Sequence, residues 1–180
     1  MRRVEARDAP ALFALTDVNR ARLRQWLPWL DGVRSVADTM AFIAVQERAH
    51  AATGAGAMGL WVEGALAGVA GYNTIDRANR TAAIGYWLGA AHEGRGLMTR
   101  ACAALTDHAL AVAALNRVVI ACAVGNARSR AIPRALGFAH EGVHREAEWL
   151  YDRFVDHEIY AMLARDWPAP AQTQARGKTP

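Results

Sequence analysis

The feature that most constrains the fold of this 180-residue chain is a glycine-containing turn between a predicted strand and a predicted helix. The turn lies within the segment 86–99, which reads YWLGAAHEGRGLMT, and the strand before it covers 81–88. Apolar residues recur at helical spacing from Gly94 to about Val112, and a short apolar strand follows at 116–123. Such a strand–helix–strand crossover is right-handed, and it places its two strands parallel in one sheet.

The segments on both sides of this crossover predict a mixed α/β (α+β) domain. Ser35 is a candidate N-cap with Asp38 three residues later, and Asn126 is the N-cap of a helix after the crossover. We expect one domain over 1–167 and a disordered tail over 168–180. The other predicted elements are helices at 8–23, 35–52 and 126–136, and strands at 56–63, 65–75, 138–147 and 153–163.

Composition excludes several classes of protein. Apolar residues make up 53% of the chain and charged residues 21%, which is typical of a globular protein. No apolar run reaches the roughly 18 residues of a membrane span, and the charged N-terminus lacks the apolar region of a signal peptide. We therefore expect a cytoplasmic protein without membrane association. Cys102 and Cys122 lie in apolar patterns and predict buried, reduced thiols, and we expect no metal site.

The charge distribution favours a phosphate-rich ligand. The net charge is only +4, but between positions 94 and 134 there are six arginines and one acidic residue, Asp107. A basic surface of this kind also suits nucleic acid. However, no recognition helix, zinc finger or RNA-binding aromatic pattern accompanies it, so we expect no direct nucleic-acid binding.

The glycine turn has the chemistry of a pyrophosphate cradle. Helix N-termini leave backbone N–H groups unpaired, and glycines let those groups surround an oxyanion. A P-loop requires Lys-Ser/Thr where Leu97 and Met98 stand, and a dinucleotide-binding fingerprint requires a third glycine where Thr99 stands. A glycine pair that only caps a helix looks the same in isolation. Among ligand-binding turns, the acyl-CoA type remains.

Two separated segments resemble the GNAT superfamily of acyltransferases. The turn is similar to the family's motif A, Q/R-x-x-G-x-G/A, with Gly94 and Gly96 at the glycine positions and Ala91 at the Q/R position. The segment 126–138, NARSRAIPRALGF, looks like the family's N-x-x-S-x-x-I/V-x-x-x-L-G-F block. The likeness covers roughly residues 1 to 165. It implies an acyl-CoA N-acyltransferase fold, whose twisted mixed sheet carries helices on both faces and splays at its central strands.

Three further segments are similar to the Rim-type branch of this superfamily, which acetylates the N-termini of ribosomal proteins: 27–29, 84–88 and 156–163. The resemblance implies transfer of an acetyl group from acetyl-CoA to a primary amine, foremost a protein N-terminus. A small acceptor, such as a polyamine, an aminoglycoside or an amino compound, stays open, as does a catalytically silent CoA-binding module. A homodimer is implied by the branch alone.

The resemblance also assigns roles to individual residues. It implies that Glu148 is the general base and that Ser129 protonates the CoA thiolate, with Tyr151 or Tyr160 as alternative acids. From the residues alone, Glu148 also fits an exposed turn acid and Ser129 an ordinary residue in the first turn of a helix. Trp26, Trp29 and Trp149 fit an acceptor groove or core packing. The predicted CoA contacts are Trp87, Leu88, Glu93, Gly94, Arg95, Gly96, Leu97, Met98, Thr99, Asn126 and Arg134.

Overall fold

A seven-stranded mixed sheet forms the centre of the protein in the computed structural model, which describes residues 1–168. The strand order is β1-β2-β3-β4-β5-β7-β6, and all neighbours are antiparallel except β4 and β5. The strands are β1 (Arg2–Arg3), β2 (Gly56–Val62), β3 (Ala65–Asp76), β4 (Thr81–Leu88), β5 (Arg117–Ala123), β6 (Ala139–Leu150) and β7 (Arg153–Leu163). The helices are α1 (Ala9–Val18), α2 (Arg20–Leu23), α3 (Val36–Thr53), α4 (Leu97–Asp107) and α5 (Ala127–Ala135).

The predicted crossover is confirmed, and it contains the splay. β4 and β5 pair in parallel at only three positions, the last of which joins Ala83 to Val119. Beyond this pair the two strands separate, while β4 stays paired with β3 as far as Leu88. The edge of β4 that faces β5 therefore has no strand partner from Ile84 onwards among the described residues. Apart from Leu88 O, which accepts a hydrogen bond from Arg22, the backbone groups of this edge are available to a ligand.

Helices cover both faces of the sheet, as expected for this fold. On one face, α4 packs over the largest hydrophobic cluster, in which Ile84, Leu105 and Ile120 are buried. On the other face, α1 and α3 pack around Ile43 and Val69. Because successive strand residues point to opposite faces, every strand position can be assigned to one of these two faces.

Several element boundaries differ from the sequence predictions. The predicted helix 8–23 breaks at Asn19, whose side chain donates to Leu15 O and accepts from Ala90 N, which ties it to the end of β4. The predicted helix 94–112 becomes α-helical only at Leu97 and ends in a π-helical turn. β1 was missed because two residues carry no periodic signal. β6 continues to Leu150 through a bulge.

Other sequence expectations concern the surface and the thiols. Within residues 1–168, no helix is long and apolar enough to cross a membrane, and no cluster of side chains suits a metal ion. Cys102 and Cys122 are free and buried, which confirms the prediction, and burial raises the pKa of Cys102 to about 12. The predicted tail 168–180 lies outside the described residues apart from Pro168.

Candidate active site

The glycine turn forms the start of α4. Gly94 and Gly96 have φ values of 72° and 66°, in the left-handed region that favours glycine, and Gly96 is the N-cap of α4. The first backbone hydrogen bond of the helix runs from Arg100 N to Gly96 O at 3.1 Å. The N–H groups of the residues between them, 97–99, have no intrahelical acceptor. They form a site for an anion, aided by the helix dipole.

A cavity of about 990 Å³ lies beside this turn, between the ends of β4 and α2 and the N-termini of α4 and α5. Ten of the predicted site residues line it: Trp87, Leu88, Glu93, Gly94, Gly96, Leu97, Met98, Thr99, Asn126 and Ser129. Three others, Arg95, Arg134 and Glu148, lie outside its lining. The structure thus brings together the two segments that carry the sequence resemblance. The catalytic and binding roles of these residues stay predictions.

Ser129 belongs to a small polar cluster that bridges the splay. The Tyr86 hydroxyl, from β4, donates to Ser129 O at 3.0 Å, and Ser129 Oγ lies 3.2 Å from both Tyr86 Oη and Cys122 Sγ. Asn126 Oδ1 accepts from Ser129 N at 3.1 Å, which confirms Asn126 as the N-cap of α5. Burial raises the pKa of the Tyr86 phenol, so Tyr86 is a neutral hydrogen-bonding group. Tyr86 was not among the predicted site residues.

Glu93, a predicted CoA contact, is held between two arginines at the cavity. Its carboxylate pairs with Arg22 of α2 and with Arg128 of α5. Arg22 also donates to Leu88 O at 2.5 Å, at the end of β4. The two cations offset the negative charge of Glu93 beside the anion site, where an unpaired carboxylate would repel a diphosphate. The sequence contains no signal for Arg22, which is one of three arginines between 20 and 24.

A second charged cluster anchors α5 to β7 outside the cavity. Glu158 is buried and pairs with Arg130 and Arg134 of α5. The hydroxyl of Tyr160 donates to the same carboxylate and accepts from Arg134 Nε at 2.8 Å. Hydrogen bonds from Tyr160 and Arg130 hold the pKa of Glu158 below its usual value. Arg134 and Tyr160 are therefore engaged with Glu158 in this structure.

Glu148 lies on the other face of the sheet from Ser129. In the β5–β7 register, Cys122 opposes Glu158 and Ala123 opposes His157, so Cys122 and His157 point to opposite faces. Cys122 contacts Ser129, whereas His157 Nε2 lies 3.4 Å from Glu148 Oε2. The predicted acid and the predicted base therefore lie on opposite faces of the sheet, and only Ser129 is part of the cavity lining.

The turn after Glu148 is tied to the cavity wall. The Tyr151 hydroxyl donates to Leu27 O at 2.7 Å, and Leu27 lines the cavity. The guanidinium of Arg24 stacks over the Tyr151 ring at 3.8 Å. This contact fixes the β6–β7 turn against the segment that follows α2, and it engages the hydroxyl of one alternative acid.

The three tryptophans of the predicted acceptor groove lie in different places. Trp26 lines the cavity, and Trp29 packs with its ring centroid 6.3 Å from that of Trp87. Trp149 is 53% exposed and packs edge-to-face on Phe154 at 4.8 Å, so it belongs to the outer surface of the β6–β7 hairpin. Trp26 and Trp29 are thus the two that lie next to the cavity wall.

A sheet that splays beside a helix N-terminus with two left-handed glycines, with a cavity between them, is the arrangement that the sequence resemblance implies for an acyl-CoA-binding transferase. The chain matches the Acetyltransferase (GNAT) domain family over residues 1–139. It is 36% identical over 169 residues to the protein YdaF of Bacillus subtilis (strain 168), which covers 93% of this chain and 92% of that protein. It is 35% identical over 152 residues to the ribosomal-protein-serine acetyltransferase of Escherichia coli (strain K12), covering 84% of this chain and 85% of that protein.

The solved structures agree with these relatives. RimL, a ribosomal alpha-N-protein acetyltransferase in complex with coenzyme A, superimposes with a TM-score of 0.86 at 32% identity, covering 90% of this chain and 92% of that chain. The chain belongs to the GNAT acetyltransferase family. It is an acetyl-CoA-dependent N-acetyltransferase.

Proposed function

We propose that this acetyltransferase transfers the acetyl group of acetyl-CoA to the N-terminal α-amine of a ribosomal protein. The observation that carries the proposal is the splay between β4 and β5, which opens into the cavity that Ser129 lines. Glu148 lies on the opposite face of the sheet, next to His157. The related E. coli enzyme is named for a ribosomal protein acceptor, and RimL for an alpha-N-protein acceptor.

In the proposed complex, the diphosphate of CoA binds the free N–H groups at the start of α4. The amides of the pantetheine arm pair with the free edge of β4 near Trp87 and Leu88, as an added strand would. The absence of strand pairing supports this arrangement, because β4 has no β5 partner over these residues while it stays paired with β3. Arg95 is exposed next to the cradle and is a candidate contact for phosphate oxygens.

The acceptor class determines how much base catalysis the reaction needs. A free α-amine has a pKa of about 7.7–8, so about a quarter is neutral at pH 7.4, against about 0.1% for a lysine side chain. Glu148 accepts the proton of the α-ammonium group, either directly or through a water molecule. The neutral nitrogen then attacks the thioester carbon, and the carbon–sulfur bond breaks. Ser129 donates its proton to the departing thiolate and regains one from the nitrogen as the amide forms, so the products are the acetylated amine and free CoA thiol.

The proposal also places the protein in the cytoplasm and includes a homodimer. The cytoplasmic location follows from the proposed acceptor, because ribosomal proteins are synthesised there. The homodimer rests on the likeness to the Rim-type branch, and light scattering of the purified protein tests it directly.

The function is tested by release of free CoA thiol from acetyl-CoA in the presence of defined acceptors. The acceptor series contains peptides that begin with Ser or Ala, the same peptides with a blocked N-terminus, a polyamine and an aminoglycoside. We expect turnover with free N-termini only. The Glu148→Gln variant should reduce kcat by about 100-fold at pH 7 and remove the ionisation of the base from the acidic limb of the pH profile.

Other outcomes would redirect the assignment. Equal turnover with the blocked peptide excludes the α-amine as the acceptor. Turnover with the polyamine or the aminoglycoside alone would favour a small-amine acetyltransferase. CoA binding without turnover on any acceptor would favour a catalytically silent CoA-binding protein.

A further inference from the structure

β6 carries a bulge immediately before Glu148. Between the register positions at His144 and Glu148, three residues of β6 stand opposite one residue of β7, Asp156. One of the three, Glu146, has a φ of 50°, in the left-handed region that non-glycine residues rarely occupy. Such a conformation persists only where the surroundings enforce it, and bulges of this kind re-aim side chains.

Two consecutive residues of β7 hold this bulge. Asp156 Oδ1 accepts from Glu146 N at 2.7 Å, which pins the backbone in its left-handed conformation. His157 Nε2 lies 3.4 Å from Glu148 Oε2, with the two side chains 19% and 29% exposed. The backbone of β7 is fixed here in turn, because Val124 N donates to Asp156 O at 3.0 Å.

We propose that Asp156 and His157 are positioning residues that aim Glu148 at the acceptor amine. This proposal rests on the function proposed above, in which Glu148 is the base. Asp156 sets the backbone from which Glu148 projects. His157, with a proton on Nε2, donates to one carboxylate oxygen and leaves the other free to accept the proton of the amine. Contacts of this type are often long in a free enzyme and shorten when substrate binds.

The charged and titratable surroundings of the pair do not supply an alternative partner for the carboxylate. His144 opposes His157 in the register of β6 and β7, but it is exposed. Glu146 in the bulge carries the same charge sign as Glu148 and is also exposed. Within residues 1–168, His157 is the side chain that lies within ion-pair distance of the Glu148 carboxylate.

The test compares five variants with the wild type in the thiol-release assay on a Ser-starting peptide: Glu148→Gln, Asp156→Ala, His157→Phe, His157→Gln, and the double variant of Glu148→Gln with His157→Phe. Alanine is used at 156 because an asparagine would keep an oxygen that accepts from Glu146 N. Asp152→Ala is the matched control for Asp156→Ala, because Asp152 is an exposed carboxylate at the hairpin turn that pairs only with its neighbour Arg153 among the described residues. His50→Gln on α3 is the control for the histidine variants.

We expect His157→Phe and Asp156→Ala to lower kcat about tenfold at pH 7, with the KM for acetyl-CoA unchanged. His157→Gln should retain most of the activity. The loss of kcat relative to the wild type should become smaller toward pH 9, where the acceptor amine is already neutral. In the Glu148→Gln background, His157→Phe should cause less than a further twofold loss, because a residue that acts through Glu148 has nothing left to position. Melting temperatures of all variants control for folding.

The proposal is overturned if His157→Phe and Asp156→Ala lose no more kcat than their control variants. It is also overturned if the loss is the same at all pH values, or if it multiplies with that of Glu148→Gln. A Glu148→Gln variant with wild-type turnover and pH profile would refute the base assignment itself. A Glu148→Gln variant that loses activity while the His157 variants do not would refute the positioning proposal alone.

Discussion

Replacing either glycine of the α4 turn by alanine tests whether its left-handed backbone is needed to bind CoA. Gly94 and Gly96 have φ values of 72° and 66°, where an alanine is less stable by about 1–2 kcal/mol. A Cβ on Gly94 would meet no atom within 4 Å, so strain rather than collision determines the effect there. A Cβ on Gly96 would lie 3.2 Å from Arg100 Nη1, at the mobile end of a long side chain.

The backbone strain of the alanine variants lowers their affinity for CoA. The turn is exposed, so the free variant relaxes to negative φ and must recover the left-handed conformation when the diphosphate binds. A cost of about 1–2 kcal/mol then weakens CoA binding by roughly 5- to 30-fold. Titration calorimetry with CoA measures this change for Gly94→Ala and Gly96→Ala. We expect kcat at saturating acetyl-CoA to stay close to that of the wild type, since the reacting groups are untouched.

Gly64→Ala is the matched control. Gly64 has a φ of 82° in the turn between β2 and β3, and a Cβ there would also meet no atom within 4 Å. It carries the same backbone strain but lies away from the cavity, so its CoA affinity should equal that of the wild type. The reasoning fails if Gly94→Ala and Gly96→Ala bind CoA as tightly as Gly64→Ala does.

Two further predictions concern the clusters that hold α5 in place. Tyr86→Phe removes the hydroxyl that contacts Ser129 across the splay. We expect the free energy of unfolding to fall by about 1 kcal/mol and kcat to fall severalfold. An unchanged melting temperature and unchanged turnover would show that the contact is dispensable. Glu158 has a folded-state pKa below its ordinary value, so its contribution to stability is present above the unfolded-state pKa and is lost as pH falls through the folded-state pKa. Glu158→Gln should therefore melt at a lower temperature than the wild type at pH 7 and lose less stability below pH 4; parallel pH–melting curves for the two proteins would contradict this.

The elements that the sequence predicts well are those with a local cause. The change from period two to helical spacing after Leu88 predicts the crossover, and the glycine turn predicts the helix start at Gly94, three residues before α4 begins at Leu97. The N-caps Ser35 and Asn126 are confirmed, because an N-cap side chain bonds to a backbone N–H only two or three residues away. Short-range hydrogen bonds of this kind can be predicted from the neighbouring residues alone.

The contacts that sequence analysis missed join residues far apart in the chain. Arg22 reaches Glu93 across 71 positions, and the Tyr151 hydroxyl reaches Leu27 across 124. Strand alternation assigns Tyr86 to the face of Ile84, which is a usable signal for its burial, but no spacing rule names Ser129 as its partner. The β6 bulge was missed because its left-handed residue is a glutamate and not a glycine.

In the proposed reaction, the acid and the base lie on opposite faces of the sheet. Ser129 reaches the splay from the face covered by α4 and α5, through its contacts with Cys122 and Tyr86. Glu148 lies on the opposite face of the sheet, next to His157 and outside the cavity lining. In the proposed reaction, the thioester therefore meets its amine from one face and releases its thiolate toward the other. The register of β5 with β7 matters for this arrangement, because a slip of one residue would bring His157 to the face of Ser129 and away from Glu148.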